Sequence, residues 1–161
     1  MSITRHEIRT ITDENRGQPI ISQAVVHGNV AYFAGVTPNP IVGDIKAQTA
    51  QVLRRVDELL RLAGTDKSRL LSAQVWIADM RLFEDHNAVW NQWVDLANAP
   101  VRACLTTEFW RPGMLVEVMV IAASPDTMSS REKGTLAELS YEPTQARQKF
   151  RRSPPGRLPC Q

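Results

Sequence analysis

The sequence is expected to fold as an α+β domain in the order β-β-β-α-β-α-β-β, a mixed sheet with two helices on one face. Three observations lead there. A long segment between Asp44 and Gly64 carries apolar residues at the 3.6-residue period of a helix. Two β-rich runs, 21–26 and 30–36, flank His27-Gly28-Asn29, which reads as a hairpin. A second helical segment lies between strand-like runs, and a strand-helix-strand unit requires a crossover. The crossover makes the sheet mixed and places both helices together.

The elements follow in order. Residues 2–9 can form a strand, with Ile3 among alternating polar positions. In the hairpin, Gly and Asn supply the positive φ of a tight turn. Pro38, Asn39, Pro40 and Gly43 mark a loop. Asp44 is placed to cap the first helix and Gly64 to stop it. Ile45, Thr49, Val52, Leu53, Val56, Leu59, Leu60 and Ala63 make one buried stripe between them. "LLSAQVWIAD", 70–79, reads as a strand. A helix over about 83–97 carries Phe83, Asn87, Trp90, Trp93, Val94 and Ala97 along one side. "APVRACLTTEFWRPGMLVEVMVIAA", 99–123, reads as two strands folded about Arg111-Pro112-Gly113. With both helices on one face, nothing in this chain covers the other. If that face is apolar it calls for a partner, and a homo-oligomer is the simplest source.

Hydrophobic content of 43% and charged content of 22% are ordinary for a globular chain. Residues 1–124, the expected domain, hold 12 Lys/Arg against 13 Asp/Glu, so the body offers no electrostatic case for a nucleic-acid surface. Residues 125–161 hold 7 against 4 and are polar and Pro-containing, the composition of a disordered basic tail. A short helix around 135–150 is the alternative there. A solvated tail is favoured over contact with an anionic surface through Lys149, Arg151 and Arg152. The cysteines, Cys104 and Cys160, make neither a metal-ligand spacing nor a disulfide framework, so reduced thiols in a cytoplasmic setting are expected. The N-terminus lacks an apolar signal core and no run approaches ~18 apolar residues, so neither export nor a membrane span is expected.

Arg102 and Glu117 stand out, because each sits in a run that otherwise reads as buried strand. Such charges are almost never fully buried unless paired. With Pro112-Gly113 as a two-residue turn, Glu117 falls opposite Glu108, and Arg102 lies on the same face as Glu117 but six residues along the strand, about 20 Å. On that register the two cannot pair within one chain. Either each finds a local partner or solvent at an edge, or Arg102 of one subunit meets Glu117 of the next across a cavity. A guanidinium without a fixed partner is shaped to take a carboxylate bidentately. A glutamate in an apolar strand is suited to holding or activating a water.

Other candidates are weaker. His27 falls in a turn and His86 is expected at the surface. Asn87, on the apolar side of its helix, needs hydrogen-bond partners, either backbone or a pocket ligand. Trp90 and Trp93 sit at helical spacing and read as core, and Trp110 beside the turn reads as exposed. Cys104 has no histidine placed to activate it and reads as a small buried hydrophobe.

Taken together, "SQAV…GN…YFAG" (22–35), the 44–80 segment, "F…NAVWNQW" (83–93), Pro100-Val101-Arg102-Ala103-Cys104 and "GMLVEV…IA" (113–122) resemble the reactive intermediate deaminase family, Rid, also called YjgF. The resemblance spans about residues 18–123. It implies a chorismate-mutase-like fold and a homotrimer with sites at the subunit clefts. It also implies cofactor-independent hydrolysis of enamines and imines such as 2-aminoacrylate to 2-keto acids and ammonia. Arg102 matches the arginine that binds the substrate carboxylate, Glu117 the glutamate that holds the attacking water, and Gly35, Asn87 and the backbone at Cys104 pocket-lining positions. No metal enters that chemistry. The sequence departs from the best-characterised members at Ile21, where they carry Tyr, and at Ala34, where they carry Ser. Losing two hydroxyls implies a more apolar pocket or another substrate. The alternative is a non-catalytic trimer that binds small carboxylates. Some members of the family are also described as ribonucleases or translation inhibitors, which the acidic body does not favour.

Overall fold

The computed structural model describes residues 2–8 and 19–125. The tail from Asp126 onward, with its expected disorder, the short helix around 135–150, the Lys149, Arg151 and Arg152 cluster and Cys160, lies outside them. The strands are β1 (Ile3–Ile8), β2 (Ser22–His27), β3 (Val30–Phe33), β4 (Leu70–Ile77), β5 (Val101–Thr106) and β6 (Val116–Ala123); the helices are α1 (Ile45–Leu62) and α2 (Phe83–Trp93). They form the expected α+β architecture.

The local signals act where the sequence puts them, except that Asn29 does not take the positive φ expected of it in the hairpin turn. β2 and β3 turn tightly between His27 and Val30, with Gly28 at φ 60° supplying the left-handed residue. The Asp44 side chain accepts the Ala47 N–H at 2.9 Å and caps α1. Every expected stripe position of α1 from Ile45 to Leu60 is buried, and Gly64 at φ 72° follows the last turn. α2 is shorter than the apolar pattern implies. It ends at Trp93, Val94 is extended, and Ala97 is exposed. The Asp95 side chain accepts from Ala97 N and Asn98 Nδ2, so a local turn competes with further helix.

The sheet order is β1-β2-β3-β6-β4-β5. β6 runs antiparallel to both β3 and β4, while β5 lies parallel to β4 at the edge. The expected hairpin of residues 99–123 is therefore absent: β4 stands between its two strands. A bend does form, Met114 N donating to Arg111 O at 3.3 Å, but within a longer loop. Burial decides the arrangement. β6 alternates buried and half-buried residues along its whole length and needs partners on both edges. β5 instead leaves Val101 73% and Leu105 56% exposed, against the expectation that they are buried.

The core lies between the helices and one sheet face, where Val52, Val56, Leu59 and Leu60 of α1 meet Val75, Ile77, Val116, Val118 and Val120. Gln48 is buried in the same stripe. Its amide donates to the Gly43 and Gly113 carbonyls at 3.2 and 2.9 Å and accepts Leu115 N–H at 2.9 Å, tying the β5–β6 loop to the start of α1. Among the described residues no helix lies over the opposite sheet face, and Tyr32 is exposed there.

Candidate active site

The strand register separates the site residues into two groups. Arg102 pairs with Ala73 of β4, on the side covered by the helices. Its guanidinium lies 4.8 Å from the Trp90 ring centre and 6.0 Å from that of Phe83. Nη1 donates to Asn87 Oδ1 at 2.8 Å. Nε and Nη2 are buried with no hydrogen-bond partner among the described residues. Two unmet donors on a buried cation are costly unless a ligand fills them. Asn87 thus uses its amide oxygen to hold Arg102 rather than backbone. Cys104, two residues along β5, is half-buried against the core with a free thiol.

His86 belongs to this group, against the expectation of a surface residue. It is fully buried, with Nδ1 3.0 Å from Thr49 Oγ1 and Nε2 unpartnered among the described residues. The reason is helix packing: α2 lies on α1, and Thr49, inside an apolar stripe, needs a polar partner. Burial first, and the Arg102 charge second, push the imidazole down to about 4, so it is neutral at pH 7. The signal legible beforehand was its spacing of four from Trp90.

Glu117 and Gly35 form the second group. Glu117 pairs with Trp76 of β4, on the face without helices, and burial pushes its carboxyl above the ordinary range. Gly35 packs directly against it, because a Cβ at position 35 would lie 1.9 Å from Glu117 Oε1. Gly35 also lines a cavity of about 400 Å³ with Ile21, Gln23, Thr37, Gln51 and Arg54. Side chains from α1 that sequence reasoning missed bring amide, guanidinium and carboxylate groups to the cavity beside Ile21.

Ala73 and Trp76 point to opposite sides of β4, so Arg102 and Glu117 lie on opposite faces of the sheet. This corrects the same-face reading, which rested on the hairpin, and with it the placing of Glu108 opposite Glu117. The two charges still cannot meet within one chain, because the sheet itself stands between them. Of the remaining candidates, His27 is exposed at the end of β2, and Trp93 is half-buried with Nε1 donating to Asp57 at 2.9 Å. Trp110 is 69% exposed, with Arg111 over its ring. Among the described residues no group of three or more His, Cys, Asp or Glu could hold a metal ion, and no helix is long and apolar enough to cross a membrane.

A mixed six-stranded sheet with α1 and α2 on one face and, at its edge strand, an arginine without a carboxylate partner among the described residues defines a recognisable class. Residues 19–124 match the family described as Endoribonuclease L-PSP. A RutC family protein of Haemophilus ducreyi is 38% identical over 102 residues, 63% of this chain and 87% of that protein. The RutC family protein YoaB of Escherichia coli is 35% identical over 102 residues, 63% of this chain and 89% of its own length. Among solved structures, NMB1025 of Neisseria meningitidis, a member of the YjgF family, superposes with a TM-score of 0.67 at 31% identity, covering 78% of this chain and 98% of that one. Rv2704 of Mycobacterium tuberculosis, of the YjgF/YER057c/UK114 family, gives 0.65 at 27% identity, with 76% and 99% covered. This chain belongs to the Rid family, also called YjgF or RutC, and has the chorismate-mutase-like fold expected of it.

Proposed function

We propose that the protein is a hydrolytic deaminase of enamine and imine intermediates derived from amino acids, working as a homotrimer without a cofactor. The observation that carries this reading is Arg102, a half-buried cation with two unmet N–H donors and no carboxylate partner among the described residues. A small carboxylate supplies the missing acceptors bidentately. Asn87 and the Trp90 ring hold the guanidinium's plane while it does so.

The chemistry then needs a water and a base. An enamine gains a proton at carbon to become the iminium. Water held by the Glu117 carboxylate adds to the iminium carbon and gives a proton to the carboxylate. The carboxyl returns that proton to nitrogen, the carbon–nitrogen bond breaks as the adduct's hydroxyl loses its proton, and nitrogen leaves as ammonia, with a 2-keto acid as the other product. A carboxyl raised by burial is a better base near neutral pH than a solvated one. Because Arg102 and Glu117 face opposite sides of the sheet, a site using both takes Arg102 from one subunit and Glu117 from another. The uncovered sheet face and the exposed Val101 and Leu105 supply apolar surface for that assembly. The acidic balance of residues 1–124 favours this reading over cleavage of RNA.

The test is release of 2-keto acid from enamines generated in situ by an amino-acid oxidase, wild type beside Arg102→Ala. Loss of a charge-assisted anchor worth about 3 kcal/mol lowers turnover about a hundredfold or more. The oligomer, followed by gel filtration, stays intact, because no sheet contact depends on the guanidinium. Wild type that accelerates no substrate on a panel from 2-aminoacrylate to bulkier imines refutes the deaminase and leaves a carboxylate-binding trimer.

A further inference from the structure

The cavity beside Gly35 takes its charged side chains from α1, which carries none of the residues assigned to the reaction. Its floor is Ile21 and Gly35, and Gly35 touches the Glu117 carboxylate. Glu117 does not itself line the cavity, but Gly35 is common to both, which sets the cavity next to the place where the Glu117 water would meet a substrate. Arg54 and Arg55 bring two positive charges to the cavity lining and Glu58 one negative charge. The Gln51 side-chain oxygen is taken by the Asn39 N–H at 3.0 Å, which leaves its NH2 group as the part free to bind. Arg54 is exposed on α1 and enters no ion pair among the described residues. Arg55 is anchored by Glu7 and by Glu58, the latter at 2.9 Å and itself part of the cavity wall, so among the described residues Arg54 is the lining cation without an ion-pair partner.

Resting on the deaminase reading, we propose that this cavity receives a second carboxylate at the end of the substrate's side chain, held by Arg54 and the Gln51 NH2 group. The preferred substrates are then imines of dicarboxylic amino acids. The replacement of an aromatic hydroxyl by Ile21 fits this assignment, because Ile21 closes the cavity with apolar surface and leaves the polar contacts to α1. The contact at Arg54 is near solvent, so the preference weakens as salt rises.

The experiment compares imines generated from glutamate and from glutamine, which differ only in a carboxylate against an amide of the same shape. Wild type favours the glutamate-derived imine about tenfold in kcat/KM, the size of one charge-assisted contact. Arg54→Gln, on an exposed helix position, brings that ratio close to one. A wild-type ratio near one, or a preference that survives Arg54→Gln, overturns the assignment while leaving the deaminase standing. Calorimetric binding of glutarate and of its monoamide gives a readout independent of turnover. If neither imine is hydrolysed, glutarate bound about tenfold more tightly than the monoamide, and only with Arg54 present, upholds the cavity as a carboxylate site without the deaminase. Equal binding of the two overturns it.

Discussion

Replacing Gly35 by alanine separates the placement of Glu117 from the stability of the fold. The backbone at Gly35 is outside the left-handed region, so alanine adopts it without strain, and the lower entropy of the unfolded chain favours the variant by about 0.4–1 kcal/mol. The three atoms nearest the new methyl carbon all belong to Glu117: Oε1 at 1.9 Å, Cδ at 2.9 Å and Cγ at 3.3 Å. Ordinary contact begins near 3.4 Å, so the carboxylate oxygen must retreat from 1.9 to 3.4 Å, a displacement of 1.5 Å. The flexible side chain can swing away with little cost to folding. The water it holds moves with it, and misplacing a reacting group by about 1 Å can cost roughly a hundredfold in rate. The expected result is a fall in kcat/KM of about a hundredfold, equivalent to about 2.7 kcal/mol, with the melting temperature unchanged or slightly raised. The assay is keto-acid release beside a thermal melt of the same preparation. Full activity in Gly35→Ala would refute the reasoning, since Glu117 would then not need its observed position.

Two pH-linked predictions follow from buried titrating groups. His86 has its pKa pushed from 6.5 to about 4 in the folded chain, so unfolding takes up a proton over that interval and about 3 kcal/mol of stability is lost as pH falls through it. Denaturant midpoints between pH 7 and pH 4.5 should fall more steeply in wild type than in His86→Gln, and equal slopes would show that the imidazole is not held neutral. Glu117 is raised instead, so the folded chain keeps a proton the unfolded one releases, and stability declines as pH rises through that window. Glu117→Gln should therefore abolish turnover while holding or raising the melting temperature at pH 7; a clear fall in melting temperature would mean that the carboxylate is a structural anchor.

Each element of the fold was legible where a local rule acts alone. The α1 stripe, its Asp44 cap and Gly64 stop, and the Gly28 turn depend on residues within one or two helical turns or a single tight loop. The apolar period overran the end of α2, because it does not register that the Asp95 side chain can build a turn of its own. Arg102 and Glu117 were visible as charges in apolar strands, and Asn87 as a polar residue on an apolar helix face. His86 was not, since a histidine beside acidic residues in a helix's first turn reads as surface until the helix packed against it is known.

By itself, then, the sequence determined the element order, the family and the identities of the charged residues, all carried by short-range periodicity and composition. Only the tertiary structure decided which strands are neighbours. Strand pairing joins residues far apart in the chain, and β4, forty residues before β6, enters between β5 and β6 because β6 needs hydrogen-bond partners on both edges. That insertion places Arg102 and Glu117 on opposite faces of the sheet. It is also tertiary packing, bringing the middle of α1 against the start of β2 and the residues after β3, that sets Arg54 and Gln51 beside Gly35.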